Sequence, residues 1–254
     1  MNEPSWNASI KQAQVNMQAP VLKRFYERAQ AGEADGGFAL LLDGRPTRTP
    51  AKAKLIAPTR ALAEAMAREW QAQGETIQPA TMPLTRLANS ALDGVAQAMA
   101  ATAAEIAGFA GADLVCYRAL EPEALAARQA AAFDPVLAFA QAALGARFVL
   151  AGGIVHVPQP EASLAAVRAA VETYADPFAL TALHGLTSLS GSVLIALAVA
   201  RGAMPAASAW GAAHVDEDFQ IQQWGADDEA TLRRAAREKE FAAAAFTLDA
   251  LRRP

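Results

Sequence analysis

The residues best placed for chemistry in this 254-residue chain lie near its C-terminal end, within the segment DEDFQIQQWG at 216–225. At 3.6 residues per turn, a helix through this segment aligns Trp210, Glu217, Ile221 and Trp224 on one face, with Gln220 beside them. A carboxylate without a partner on an apolar face is costly, so Glu217 needs a cation inside the fold or on another protein. Three interpretations stay open: an intramolecular ion pair, a solvated position at the rim, or an anchor for a partner protein.

A carboxylate in such surroundings can also act as a general acid or base, so a small hydrolase using Glu217 is the alternative hypothesis. The sequence offers no second catalytic group for it. His156, His184 and His214 have none of the usual metal-ligand spacings, and Gly152-Gly153 matches neither a phosphate-binding loop nor a dinucleotide fingerprint. We therefore predict no catalytic residue, no metal site and no cofactor, and favour a protein-binding role over an enzyme.

Composition argues against several other classes of protein. A formal net charge of −4 gives no electrostatic footprint for nucleic acid. The single cysteine, Cys116, allows no internal disulfide and fits a reducing compartment. The N-terminal residues resemble neither a secretory signal nor an organellar transit peptide. Residues 178–200 are apolar and long enough to span a bilayer, but His, Ser, Thr and Gly interrupt them, which favours a buried central helix. We expect a soluble, cytoplasmic protein without membrane insertion.

The N-terminal third carries the signals of a small β-rich unit over 23–90, after a flexible tail over 1–22. Alternating charged and aromatic residues over 23–28 suggest a short exposed strand, and the turn signal at 43–46 predicts a hairpin. Thr59 is expected to cap a helix that runs to Gln73 and stops at Gly74.

From about residue 91 to the C-terminus, long Ala-rich stretches alternate with Gly and Pro breaks. The predicted class is therefore α+β, with a β-rich N-terminal domain containing one helix and a mostly helical C-terminal domain over 91–254. Helices are predicted near 85–109, 122–132, 134–145, 160–175, 178–200, 205–224 and 227–251.

Several blocks of the chain occur in an order and spacing typical of one protein family. They are Phe38–Asp43 with Arg45-Pro46 and Thr49-Pro50; Glu69-Trp70 with Gln73–Ile77; Met82–Asp93; Asp113–Arg118 and Phe133-Asp134-Pro135; and Glu217 with Phe219–Gln222 and Trp224-Gly225. In these blocks the chain resembles the assembly chaperones for the alpha subunit of the soluble catalytic head of F-type ATP synthase.

The resemblance implies an ATP-independent chaperone that holds unassembled alpha subunit until the beta subunit replaces it. We expect it to act as a monomer. The resemblance also implies Glu217 as the critical acidic residue, with Gln220, Trp224 and Trp70 as further partner-binding residues. Tryptophan is frequent both at binding hot spots and in cores. Packing is the favoured role of Trp70, whereas packing and partner contact are equally consistent with Trp224. The composition and the lack of a transit peptide favour a bacterial member.

Overall fold

The computed structural model describes residues 22–253 and consists of a small sheet with one helix followed by a mostly helical part. The predicted α+β class is thus confirmed. The predicted tail over 1–22 lies outside the described residues except for Leu22. The division into two domains near residue 90 stays a prediction. The helix Pro83–Asp93 lies across that boundary, and its residues Leu84 and Ala88 share an apolar core with Phe178 and Ala243 of the helical part.

The sheet is built around β2 (Gly37–Leu42), which pairs antiparallel with β1 (Ala29–Ala34), β3 (Arg45–Pro46) and β4 (Ile56–Ala57). The predicted hairpin is present, with its turn at Asp43-Gly44. In the turn between β1 and β2, Gly36 and Gly37 both have positive φ, which favours glycine.

The strand predicted over 23–28 is wrong, because in that stretch only Lys23 forms a bridge, to Thr76. The backbone amides of Glu27 and Arg28 donate to the Asp43 carboxylate instead of to a neighbouring strand. These bonds satisfy the backbone without a ladder, so regular pairing begins only at β1.

Helix α1 (Arg60–Gln71) begins as expected, with the hydroxyl of Thr59 accepting the Leu62 amide at 3.3 Å. It ends at Gln71 rather than at the predicted Gln73. The Gln73 side chain accepts the Gln78 amide at 2.7 Å and donates to the Thr81 hydroxyl at 3.0 Å. Gln73 therefore closes the loop after the helix instead of extending it.

The helices predicted at 85–109, 178–200 and 205–224 are each divided in two. The break predicted between 122–132 and 134–145 is absent. Gly191 adopts the left-handed conformation that ends a helix, and Ser192 caps the next one. Pro135 lies inside a continuous helix on an exposed position, where water can satisfy the carbonyl that proline leaves free. The helices are α2 (Pro83–Asp93), α3 (Met99–Gly108), α4 (Glu123–Leu144), α5 (Glu161–Glu172), α6 (Pro177–Ser190), α7 (Val193–Ala200), α8 (Ala206–Ala213), α9 (Val215–Trp224) and α10 (Asp228–Arg252).

The centre of the helical part is α7, in which every residue is buried. The interpretation of 178–200 as buried and central is therefore correct, although the segment forms two helices. Among the described residues, Met99–Cys116 is the one stretch whose length and composition would allow a membrane span. In the fold, α3 and two short 3-10 turns make up this stretch, and a parallel pairing of β5 (Tyr117–Arg118) with β6 (Ala151–Gly152) follows it.

Candidate functional site

An open groove between α8, α9 and α10, called here the C-terminal groove, brings together three of the four predicted site residues. Glu217, Gln220 and Trp224 all line it, and it encloses about 810 Å³. Trp210 and Arg234 also contribute to its walls. The groove therefore combines apolar surface with charges of both signs.

The helix predicted to run through Trp210 and Trp224 is interrupted at His214, so the expected single face is divided between α8 and α9. The His214 ring lies 3.8 Å from the Trp210 ring, and its Nδ1 is 2.9 Å from the Trp210 carbonyl oxygen. Burial lowers the pKa of His214, which favours the neutral ring. Trp210 is buried against Phe241, whereas Trp224 is 79% exposed. The two tryptophans thus differ in role, and only Trp224 is free to contact a partner.

Helix α9 is fixed through its opposite side. Phe219 is its one buried residue, and the guanidinium of Arg128 lies 5.2 Å from that ring. Asp216 accepts a hydrogen bond from the Gln129 amide group at 2.7 Å. These contacts hold α9 on α4 and leave Gln220 and Trp224 facing solvent.

Glu217 is half-buried and has neither a hydrogen bond nor an ion pair within residues 22–253. The neighbouring Asp218 is the acid that binds Arg234, at 2.5 Å, and this bond raises the pKa of Arg234. Glu217 thus forms no ion pair at contact distance in this part of the chain, and its charge is only a secondary cause, after Asp218, of the raised pKa of Arg234. Its carboxylate stands available beside the exposed Trp224 and the partly buried Ile221.

Trp70 lies outside the C-terminal groove, at the end of α1. Its Nε1 donates to the Thr85 hydroxyl at 3.1 Å, and its carbonyl oxygen accepts from the Tyr26 hydroxyl at 2.7 Å. Its ring packs against that of Tyr26 at 5.5 Å. These contacts support the packing role, while its contact with a partner stays a prediction.

The acidic residue next to Trp70 has a structural task that sequence reasoning missed. The Glu69 carboxylate accepts the Leu84 amide at 2.7 Å and the Thr85 amide at 2.8 Å, and also the Thr85 hydroxyl at 2.8 Å. It thereby caps α2 from a different helix, in place of the side-chain cap that Met82 does not supply. Burial raises the pKa of Glu69.

Asp113 performs a similar task in the helical part. It is fully buried and accepts the Val115 amide at 3.2 Å and the Leu194 amide at 3.1 Å. Burial raises its pKa to about 6, against the lowering effect of the Ser192 hydroxyl and of the backbone amides. No sequence spacing links residue 113 to the start of α7, so only the folded chain shows this pairing.

Groups that could carry other chemistry are dispersed or inaccessible. Among residues 22–253, no three His, Cys, Asp or Glu side chains are close enough to hold a metal ion. Cys116 is buried, and burial raises the pKa of its thiol to about 12, so it stays protonated. The strongest candidate site is therefore the C-terminal groove, whose form suits the binding of a protein surface.

Comparison with known proteins agrees with this interpretation. The family model described as ATP12 chaperone protein matches residues 23–141. A crystal structure of a candidate chaperone from Agrobacterium tumefaciens is 47% identical and superimposes with a TM-score of 0.87, covering 95% of this chain and 91% of that one. The crystal structure of Atp12 from Paracoccus denitrificans is 42% identical with a TM-score of 0.82, covering 90% of this chain and 98% of that one. An aspartate-to-lysine mutant of the Paracoccus protein has the same identity and TM-score, with 90% and 97% covered.

Proposed function

The chain belongs to the ATP12 chaperone family, and on that premise we propose that it binds the unassembled alpha subunit of F-type ATP synthase. It holds this subunit without using ATP, prevents its aggregation and releases it when the beta subunit assembles. We further propose that it acts as a monomer in the bacterial cytoplasm. The bacterial origin of its structural relatives supports this setting.

The observation that carries the proposal is the pairing of exposed Trp224 with Glu217 on one open groove. A large apolar side chain that is 79% exposed forgoes the favourable free energy of burial, and a partner that covers it recovers that free energy. A half-buried carboxylate beside it adds direction, because it favours one position of a cation on the partner.

The physical requirement for such a partner follows from assembly. An alpha subunit without its neighbour exposes apolar surface that would otherwise be buried, and such patches drive aggregation. A chaperone that covers the patch must also release it. A small groove with a few strong contacts suits this better than an extended apolar interface, because affinity depends on such contacts more than on area.

Aggregation of alpha subunit on dilution from denaturant, followed by light scattering without nucleotide, tests the proposal. We expect this protein to suppress the scattering, and Trp224→Ala to suppress it less. The matched control is Leu232→Ala, because Leu232 is 72% exposed on α10 but lies outside the groove. Suppression that required ATP hydrolysis by this chain, or that both variants impaired equally, would contradict the proposal.

A further inference from the structure

A second groove lies in the N-terminal part of the molecule. Trp70 lines it and also packs against the apolar core that contains the buried residues of α1. This basic groove encloses about 900 Å³ between the segments 22–26 and 77–82 on one side and 45–52 on the other. Thr85 and Arg86, in the first turn of α2, also line it. It shares no lining residue with the C-terminal groove.

The floor of the basic groove is apolar and well packed. Tyr26, Leu42, Ile77 and Met82 form a small buried core that Trp70 covers. At its mouth, by contrast, two large apolar side chains lie open to solvent: Leu22 is 55% exposed and Phe25 is 64% exposed. Apolar side chains gathered around a concavity are typical of a surface that binds another molecule.

The rim carries the opposite charge to the chain as a whole. Arg45, Arg48 and Lys52 are exposed around the groove, and none of them pairs with a carboxylate in the part of the chain that the structure describes. The lining also contains one acid, Asp43, but its carboxylate already accepts the backbone amides of Glu27 and Arg28. A protein with a net charge of −4 therefore presents a positive rim over an apolar floor.

We propose that the basic groove binds an acidic, apolar segment of a partner protein. The apolar side chains of that segment pack on Phe25 and the Tyr26 floor, and its carboxylates pair with Arg45, Arg48 and Lys52. A polypeptide fits better than a nucleic acid because, of the three aromatic rings in the lining, only that of Phe25 is largely exposed, so the groove offers no row of exposed rings for stacking bases. The two grooves then select for opposite charges, since the free carboxylate of the C-terminal groove favours a cation.

This inference goes beyond the proposed function, because it holds whatever protein supplies the segment. It is tested on the full chain by fluorescence anisotropy with a short labelled peptide in which Glu alternates with Leu and Phe. The matched probe has Lys in place of each Glu. We expect the acidic peptide to bind at least about tenfold more tightly, and its affinity to fall as salt screens the exposed charges.

The variants place the binding in the groove. Arg45→Glu is expected to weaken the acidic peptide about fivefold and Phe25→Ala about tenfold, because one repels a carboxylate and the other removes apolar contact. Arg45 is exposed and makes no side-chain hydrogen bond within residues 22–253, so we expect its replacement to leave the fold intact, which thermal unfolding of the variant checks. Arg68→Glu, which changes an exposed cation outside the groove, and Glu217→Gln, in the other groove, should leave the affinity unchanged.

Equal binding of the two peptides, no binding of the acidic peptide up to about 1 mM, or full affinity in Arg45→Glu would each overturn the proposal. So would competition by a single-stranded oligonucleotide at lower concentration than the peptide needs. Because no alpha subunit is present in this experiment, its failure leaves the proposed function untouched. Conversely, Glu217→Gln could lose alpha-subunit binding and keep peptide binding. That result would support the C-terminal groove as the alpha-subunit site and the basic groove as a separate peptide site.

Discussion

Replacing Glu217 with glutamine separates the interpretations of its carboxylate most sharply. Glu217 has no hydrogen bond or ion pair within residues 22–253, so the substitution breaks no observed contact. It removes a negative charge from the first turn of α9, which costs about 0.3–1 kcal/mol through the helix dipole. It also relieves repulsion among the three acids of this turn and removes the attraction between Glu217 and Arg234, two small effects of opposite sign. The net change in the free energy of unfolding should stay within about 0.5 kcal/mol, or about 2 °C in Tm.

The effect on binding should be much larger if Glu217 meets a cation of the partner. Losing one side of a charge pair that is buried on association costs about 2–5 kcal/mol. Because the C-terminal groove is open on one side, we expect the lower end of that range. A loss of about 2 kcal/mol corresponds to about a 30-fold rise in Kd.

Both quantities are measured on one preparation. Thermal unfolding gives Tm, and titration with alpha subunit that has been unfolded in denaturant and then diluted gives Kd. Asp218→Asn serves as the structural control, since it breaks the 2.5 Å pair with Arg234 and should lower Tm by a few degrees. Glu64→Gln, on an exposed position of α1, controls for the loss of one negative charge. If Glu217→Gln lowered Tm as much as Asp218→Asn, or left Kd unchanged, the anchor role would be refuted.

Three further outcomes are expected. Trp224→Ala should weaken alpha-subunit binding by about 2 kcal/mol and leave Tm unchanged, because the side chain is 79% exposed; calorimetric titration measures the first and thermal unfolding the second. Glu69→Gln should lower the free energy of unfolding by about 1–3 kcal/mol in denaturant titrations, because its new amide group faces donors of Thr85; an unchanged midpoint would contradict the capping role. The pKa of Asp113 is raised to about 6 in the folded state, so the native protein binds the extra proton and stability should fall as pH rises from about 4 through 6. The stability difference between wild type and Asp113→Asn, measured in denaturant from pH 4 to 7.5, should therefore vary by about 3 kcal/mol, and a constant difference would refute the assignment.

Much of the molecule could be predicted from local signals. Turn chemistry at Asp43-Gly44 and the capping hydroxyl of Thr59 act over a few residues, and both predictions were correct. Helix boundaries were less predictable. The break at His214 was not predicted, because Gly211 lies inside α8 and not at its end, and the contact of the His214 ring with Trp210 at the break appears only in the folded chain. Conversely, Pro135 announced a break that did not occur, because its position on α4 faces solvent.

The sequence by itself determined the class of the fold, the family and three residues that do share one groove, because periodicity and the order of motif blocks are properties of the chain. Only the tertiary structure decided which of these residues are free to bind. Burial and pairing depend on residues far apart in the chain: Phe241 covers Trp210, while Arg234 pairs with Asp218 and leaves Glu217 without a partner in the described residues. The basic groove likewise forms only when residues near 25, 48 and 77 meet, and no local pattern in the sequence records that meeting.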